Sequence, residues 1–318
     1  MNTLSRKWLS LMLIVSTILA LFTGCAAKTS EANNSKSNEQ AVENKQEAVE
    51  ATKIEKLRIG LIPAESNEEI ITQFKPTLDY LAKELDVEIE PFVAMDYTAV
   101  VEAMRSGHVD AAFLGPFAYI LAADKANAEA FAVGVREDGN SSYNTLFLTH
   151  KDTGIKTLND LKGKNISFVD PASASGNLFP RAYLMKNNID PNKDFKSATY
   201  AGGHDAAILA AKNKKVDAAV SNDITFEKMV KEGLVTKEEM VIISKTDPIP
   251  GPPIAVRKDL DADFKEKLKQ AFLKMHEKSP QALGGYGKII RYDEATDTDY
   301  NVVRETAKLL NLDPAQVK

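Results

Sequence analysis

Short apolar segments alternate with helix-like segments along most of the chain. Four of the apolar segments, "LRIGLI", "VDAAFL", "NISFV" and "VDAAV", are bounded by Gly, Pro, Asp or Asn. Such runs are typical of strands that are buried on both faces of a sheet. Pro, Ser-Gly and Asn residues mark the boundaries of predicted helices at Thr77 to Leu85, Ala99 to Arg105 and Ala206 to Lys212. This alternation predicts an α/β fold of mostly parallel sheets flanked by helices.

The same pattern occurs twice, at an offset of 107 residues. The positions that match at this offset are Asp110 and Asp217, Ile59 and Ile166, and Tyr97 and His204. A repeat of this length is too long for a solenoid unit, so it predicts two similar lobes. Because ligands of open parallel sheets bind beyond the carboxyl ends of the strands, loops of both lobes are expected to meet at one cleft.

The lobes are predicted to be discontinuous in sequence. Residues 57–149 and 245–318 are assigned to lobe 1, and residues 150–244 are assigned to lobe 2. The chain then passes twice between the lobes, and these two crossover strands form a hinge.

The N-terminus has a different pattern from the body. Arg6 and Lys7 precede an uncharged run from Trp8 to Phe22, and small residues follow it up to Cys25, the only cysteine of the chain. This layout is typical of a secretory signal, so residues 1–24 are predicted to be a lipoprotein signal peptide and Cys25 its lipidated residue. A retained membrane-spanning helix needs a similar length and remains the alternative.

Residues 25–56 contain no aromatic residue and little that could form a core. They are predicted to form a disordered tether. A coil of this length reaches on the order of 30 Å. The body is therefore expected to lie at the extracytoplasmic face of the cell membrane, attached by the N-terminal lipid.

The composition limits the possible partners. A hydrophobic content of 44% and a charged content of 27% are ordinary for a globular body, and the formal net charge is -5. Binding to nucleic acid or to anionic lipid needs a basic field, so neither is expected. The four histidines, His108, His150, His204 and His276, have no metal-ligand spacing, and no nucleotide-binding loop is present. No metal and no cofactor are predicted.

The segment "DPASASGNLFP", residues 170–180, follows a predicted strand and begins a helix. Ser173 and Ser175 provide hydroxyl groups, and the backbone NH groups of Ala174, Ser175 and Gly176 are expected to be unpaired. A helix start of this kind binds a small anion without a basic side chain. The alternative is that Ser173 only caps the helix.

His204 lies at the start of a helix in the second copy of the repeat, after "YAGG". Its repeat mate Tyr97 occupies the same place in the first copy. Both side chains are therefore expected to point into the cleft from opposite lobes. The alternative for His204 is an ordinary surface or capping histidine.

Four segments carry a family resemblance: "DYTAVVEAMRSGHVDAAFLGPFAYILA", "LKGKNISFVDPASASGNLFPRAYL", "GGHDAAILAAKNKKVDAAV" and "IPGPP". In their order and spacing, the chain resembles substrate-binding proteins of phosphonate, phosphite and phosphate ABC transporters, which have the type II periplasmic-binding-protein fold. The resemblance covers nearly all of the chain after residue 56. It implies a lipoprotein that captures a small phosphorus oxyanion and delivers it to an ABC permease in the membrane.

The resemblance also implies a set of ligand contacts. These are Tyr97 and Tyr143 from lobe 1 and Ser173, the NH of Ala174, Ser175, His204 and Asp223 from lobe 2. Tyr143 could instead be a packing residue, and Asp223 could instead cap the helix that begins near Thr225.

The same resemblance implies a preference among phosphorus ligands. Family members that bind aminoalkyl phosphonates pair an acid such as Asp223 with a second carboxylate in the "IPxxP" loop, where this chain has Pro252. This difference favours phosphite or methylphosphonate over 2-aminoethylphosphonate. Other phosphonates and phosphate remain possible.

Two other functions are alternatives for this sequence. Ser173 or Ser175, His204 and Asp223 are the residue types of a hydrolase, but the chain has no G-x-S-x-G motif, and no enzymatic activity is expected. The second alternative keeps the fold and makes the protein a sensor, or a binding protein for a sulfonate, a thiamine precursor or another small anion.

Overall fold

The computed structural model describes residues 54–312. The predicted signal peptide, the predicted lipidation site Cys25 and nearly all of the predicted tether lie outside these residues. The first strand begins at Lys56, one residue before the expected start of lobe 1. None of the helices within the described range has both the length and the apolar character needed to cross a bilayer.

Strands and helices alternate through the first half of the described chain. They are β1 (Lys56–Leu61), α1 (Asn67–Leu85), β2 (Glu88–Val93), α2 (Tyr97–Arg105), β3 (Ala111–Phe113), α3 (Pro116–Ala126), β4 (Ala128–Arg136) and β5 (Thr145–His150). The remaining elements are β6 (Asn165–Phe168), α4 (Phe179–Lys186), β7 (Ser197–Tyr200), α5 (His204–Lys212), β8 (Ala218–Asn222), α6 (Asp223–Lys231), β9 (Met240–Lys245), β10 (Pro253–Arg257), α7 (Ala262–Leu273), α8 (Met275–Lys278), β11 (Ile289–Glu294) and α9 (Asn301–Leu309).

These strands form two sheets, each with helices packed against it. The first sheet has the order β11-β4-β10-β3-β1-β2, and the second has the order β7-β6-β8-β5-β9. Four of the nine strand pairings described are parallel and five are antiparallel, so the sheets are mixed rather than mostly parallel. The parallel pairings are those of β1 with β2 and β3, and those of β6 with β7 and β8, which are the strands of the repeat. The strands that lead into and out of the two crossings, β4, β5, β9 and β10, form antiparallel pairings.

The repeat found in the sequence is preserved in the strand register. Ile59 pairs with Ala111, and its repeat mate Ile166 pairs with Ala218, again 107 residues further on. Helices α2 and α5 also span matching residues, from Tyr97 to Arg105 and from His204 to Lys212.

The two aspartates of the repeated "VDAA" segment have the same role in both lobes. Asp110 Oδ2 accepts a hydrogen bond from the NH of Arg58 at 2.9 Å, and Asp217 Oδ2 accepts one from the NH of Asn165 at 2.8 Å. The Asp110 carboxylate therefore connects the start of β3 to β1, and the Asp217 carboxylate connects the start of β8 to β6.

The chain first passes between the sheets earlier than the sequence suggested. Strand β5 pairs with β8 and β9, so it belongs to the second sheet, and the predicted boundary at residue 149 is too late. In the two crossing segments, the NH of Tyr143 donates to the carbonyl of Ile249 at 3.0 Å, and the NH of Ile249 donates to the carbonyl of Tyr143 at 2.7 Å. This pair of hydrogen bonds joins the two crossings.

Helix α1 also differs from its prediction, because it begins at Asn67 instead of Thr77. Ser66 caps it, with its Oγ accepting from the NH of Glu69 at 3.4 Å. Pro76 lies inside the helix and does not start it. The apolar face of α1, with Ile70, Phe74 and Leu81 fully buried, stabilises this longer helix against the proline.

We predict that the two repeated aspartates differ in their contribution to stability. Asp110 also binds the guanidinium groups of Arg58 (2.9 Å) and Arg257 (3.3 Å), whereas Asp217 accepts from the NH and the side-chain amide of Asn165. Asp110 has cationic partners and the partners of Asp217 are neutral, and bonds between opposite charges are worth more, so Asp110→Asn should lower the free energy of unfolding by about 2 to 3 kcal/mol and Asp217→Asn by about 1 kcal/mol. Urea unfolding measures both, and equal losses would contradict the difference in partners.

Candidate ligand-binding site

A small cavity of about 30 Å³ lies between the two lobes. It is lined by Ile62, Ala64, Glu65, Tyr97, Gly115, Tyr143, Ser173, Ala174, Ser175, His204, Asn222, Ile224, Thr225, Pro252 and Tyr286. The loops after β1, β3, β6 and β8, which the sequence placed at the cleft, all contribute residues to this lining. No lysine or arginine is among these lining residues, in a cavity with room for only a few atoms.

The loop after β6 enters its helix through one widened, π-helical turn, Ala174–Leu178, which precedes α4. The Oγ of Ser173 accepts a hydrogen bond from the NH of Gly176 at 2.9 Å, so Ser173 does cap the helix. The NH of Gly176 was expected to be unpaired, and this expectation is wrong. Within residues 54–312, the NH groups of Ala174 and Ser175 have no hydrogen-bond partner. These two buried residues line the cavity, and their NH groups are the hydrogen-bond donors that the first turn of the helix leaves without an intrahelical acceptor.

Gly176 makes this turn possible. A Cβ added at residue 176 would lie 2.3 Å from the Cβ of Val169, at the end of the preceding strand. Only glycine allows the turn to pack so closely against that strand end. The close packing holds the start of the helix at the cavity.

His204 is a neutral hydrogen-bond donor in this site. Its Nδ1 accepts from the NH of Asn222 at 3.2 Å, so its proton lies on Nε2. Nε2 is 3.4 Å from the Oγ of Ser175, on the cavity side. Burial lowers the pKa of the imidazole to about 3, so the ring is uncharged at neutral pH.

Tyr97 and Tyr143 approach the same place from lobe 1. The two side chains are buried, and burial raises the pKa of each hydroxyl above its ordinary value. The nearby side chains of Ser175 and Ser173 oppose the rise in the pKa of Tyr143 and of Tyr97, respectively. Both hydroxyls therefore remain protonated and can donate hydrogen bonds.

Asp223 is the predicted contact that the structure does not bring to the cavity. Its Oδ1 accepts from the NH of Asn144 at 3.1 Å, and its Oδ2 lies 3.6 Å from the Nζ of Lys245. Asp223 lines a larger neighbouring groove of about 970 Å³ instead. Asn222 caps α6 by accepting from the NH of Thr225 at 2.6 Å, and Ile224 occupies the cavity wall.

Nine of the fifteen lining residues are not among the contacts predicted from the sequence, including Ile224, Glu65 and Tyr286. Ile224 was overlooked because successive residues of a helix point about 100° apart, and the choice between positions 223 and 224 depends on where α6 begins. Glu65 lies in the loop after β1, which was expected to reach the cleft, so its position in the chain could have been used to predict that it lines the cavity. Tyr286, whose hydroxyl donates to the carbonyl of Ile62 at 3.1 Å, comes from the C-terminal region and has no repeat mate.

Comparison with known proteins identifies the family. Residues 59–300 match the family model described as an ABC transporter phosphonate periplasmic substrate-binding protein. The chain therefore belongs to this family of binding proteins, which confirms the resemblance seen in the sequence. Because these family members bind substrates for transport and are not enzymes, the expectation of no catalysis is also confirmed.

Individual relatives agree with this assignment. The chain is 37% identical over 222 residues to the phosphonates-binding periplasmic protein of Escherichia coli, covering 68% of this chain and 65% of that protein. It is 32% identical over 228 residues to the phosphate-import protein PhnD of Mycolicibacterium smegmatis, covering 69% of this chain and 71% of that protein. The E. coli match thus spans just under two thirds of that relative's length.

A solved structure supports the fold. The binding-protein component of an ABC phosphonate transporter from Pseudomonas aeruginosa has a TM-score of 0.74 and 28% sequence identity, covering 80% of this chain and 86% of that chain. The expected two-lobed α/β fold is confirmed, with mixed sheets.

We predict that Gly176→Ala disrupts the helix start. The added Cβ would overlap Val169, so the turn must move and the melting temperature should fall by several degrees, equivalent to about 1 to 3 kcal/mol. The matched control is Gly115→Ala, whose added Cβ would meet its nearest neighbour at an ordinary 3.5 Å. Calorimetric melting that finds the two variants equally stable would show that the close packing at Gly176 is unimportant.

Proposed function

We propose that this protein is the extracytoplasmic solute-binding lipoprotein of an ABC importer and that it captures a small phosphorus oxyanion. The observation that carries the proposal is the polar wall of the cavity. It presents two unpaired NH groups, from Ala174 and Ser175, beside the neutral imidazole of His204. Uncharged donors at a helix start are suited to a tetrahedral oxyanion.

Phosphite and methylphosphonate are the favoured ligands. Part of the cavity lining is apolar and includes Ile62, Ile224 and Pro252, which together are called the apolar wall. A hydrogen or methyl substituent on phosphorus can lie against such a wall without losing a hydrogen bond. The fourth oxygen of phosphate would lose its hydration there, at a cost of about 1 to 3 kcal/mol.

The cavity has no free carboxylate for an amino group. Glu65 lines it, but the side chains of Lys228, Gln73 and Thr225 already donate to this carboxylate. Asp223 lines the neighbouring groove and not the cavity. A ligand with an ammonium group would therefore bury that charge beside Ile224 and Pro252, and 2-aminoethylphosphonate is disfavoured.

Closure of the lobes completes the site. Tyr97 and Tyr143 belong to one side of it, and Ser173, Ser175 and His204 belong to the other. The NH of His204 donates to the carbonyl of Ala64 across the cleft at 2.7 Å. A ligand bound to lobe 2 attracts the tyrosine hydroxyls of lobe 1 and shifts the population toward the closed form, which an ABC permease recognises.

The N-terminal part of the proposal rests on sequence. Residues 1–24 act as a lipoprotein signal peptide, Cys25 carries the lipid, and residues 25–56 tether the body to the membrane. Such a tether leaves the lobes free to open and close beside the permease.

We predict a ligand order that calorimetric titration of the full-length protein can test. Phosphite and methylphosphonate should bind most tightly, phosphate and ethylphosphonate more weakly, and 2-aminoethylphosphonate more weakly still. Sulfate serves as the control for a tetrahedral anion without phosphorus. Tightest binding of the amino compound would contradict the role given to the apolar wall, and binding of none of the phosphorus compounds would end the proposal.

A second prediction concerns Ser175. Its hydroxyl lies in the cavity wall, so Ser175→Ala should weaken every phosphorus ligand by about 1 to 3 kcal/mol, the value of a hydrogen bond to a charged group. Ser167→Ala is the matched control, because that buried serine of the same lobe bonds the carbonyl of Phe168 and does not line the cavity. Titration of both variants with methylphosphonate should show a loss in the first only. Unchanged affinity would remove Ser175 from the site.

A further inference from the structure

One residue of the cavity wall has the wrong charge for an anion site. Glu65 is only 7% exposed and lines the cavity in which a phosphorus oxyanion is proposed to bind. An unpaired carboxylate there would repel the ligand through a medium of low dielectric constant. The surroundings of Glu65 therefore decide whether the site can hold an anion at all.

Three side chains donate hydrogen bonds to Glu65. Oε2 accepts from the Nζ of Lys228 at 2.7 Å and from the Nε2 of Gln73 at 2.7 Å, while Oε1 accepts from the Oγ1 of Thr225 at 3.0 Å. Lys228 also donates to the Oε1 of Glu69 at 2.6 Å. Lys228 is the one cation among these donors, and the others are neutral.

These groups come from different lobes. Glu65 and Glu69, with Gln73, lie in the loop after β1 and in α1 of lobe 1, whereas Thr225 and Lys228 lie on α6 of lobe 2. When the lobes separate to admit a ligand, Glu65 keeps Gln73 but loses the ammonium and the hydroxyl. Closure is therefore the step that brings the cation to the carboxylate.

Lys228 is held in its charged form in the closed arrangement. Burial opposes that charge, but the hydrogen bonds with Glu65 and Glu69 outweigh it and raise the pKa of Lys228. The same contact lowers the pKa of Glu69. The side chains of Lys228 and Glu65 are 23% and 6% exposed, so water screens their attraction only in part.

We propose that Lys228 is a positioning residue whose ammonium neutralises Glu65 on closure, so that the closed cavity accepts an anion although a carboxylate lines it. Lys228 is not among the residues that line the cavity; it acts through Glu65. The inference rests on the proposed function, because it concerns the affinity for an anion in this cavity.

The test is a double-substitution cycle on the full-length protein, with methylphosphonate and inorganic phosphate as titrants. Lys228→Met should weaken binding by roughly 30-fold or more, because it leaves a buried carboxylate unpaired beside the anion. Adding Glu65→Gln to that variant should recover at least about 10-fold of the loss, since no buried carboxylate is then left without a cation. Glu69, which also loses Lys228, has a side chain that is 40% exposed and is screened by water. The single Glu65→Gln variant completes the cycle, and Lys228→Arg, which keeps the cation, should bind within about 3-fold of the wild type.

Lys231→Met is the matched control. Lys231 is an exposed lysine on the same helix and lines the neighbouring groove, so its loss makes the same change in net charge without touching Glu65. Melting curves of all ligand-free variants verify that each is folded. A Lys228→Met variant that binds within 3-fold of the wild type, or equal losses in Lys228→Met and the double variant, would overturn the inference.

The outcomes separate the two proposals. If the wild-type protein binds neither titrant nor phosphite, the proposed function fails and this inference falls with it. If the wild type binds and Lys228→Met binds equally well, the proposed function stands and only the inference is lost.

Discussion

The unpaired NH groups at the start of one helix are the feature on which the site depends. Ala174 and Ser175 can present them only because Gly176 lets the widened turn pack directly against the end of β6. The surrounding groups are matched to such donors: His204 is held neutral with its proton on Nε2, and Tyr97 and Tyr143 stay protonated. In the proposed function, an anion is therefore bound by dipoles and by NH or OH groups. Among the described residues that line the cavity there is no lysine or arginine, which agrees with the negative net charge of the chain.

The repeat also explains how the lobes meet. The NH of Tyr97 donates across the cleft to Oδ2 of Asp170 at 3.4 Å, and the NH of its repeat mate His204 donates to the carbonyl of Ala64 at 2.7 Å. Each lobe thus presents the start of its second helix to the loop that follows the first strand of the other lobe. This reciprocity follows from two related lobes that face each other. The closed form is consequently stabilised by contacts on both sides of the cavity.

Features that depend on the local sequence pattern could be predicted, whereas features that depend on packing between distant segments could not. The 107-residue offset located β1, β3, β6, β8 and the ends of α2 and α5, and the strand register preserves that offset. The position of β5 depended on which sheet accepts its hydrogen bonds, and its apolar sequence does not reveal that choice. Ile224 lines the cavity in place of the predicted Asp223 because α6 begins at Asp223. Moving the start of a helix by one residue rotates each side chain by about 100° around the helix axis.

The charged contacts break the approximate symmetry, and this difference bears on selectivity. The repeat mate of Glu65 is Ala172 and that of Lys228 is Leu121, so this ion pair across the cleft has no counterpart at the repeat-related positions. The symmetric contacts join a backbone NH to a carbonyl on one side and to the carboxylate of Asp170 on the other, so neither of them includes a cation. The ion pair adds a requirement for electrostatic balance inside the closed cavity. In the proposed function, donor geometry then selects for an oxyanion, and the apolar wall restricts the size and polarity of its remaining substituent.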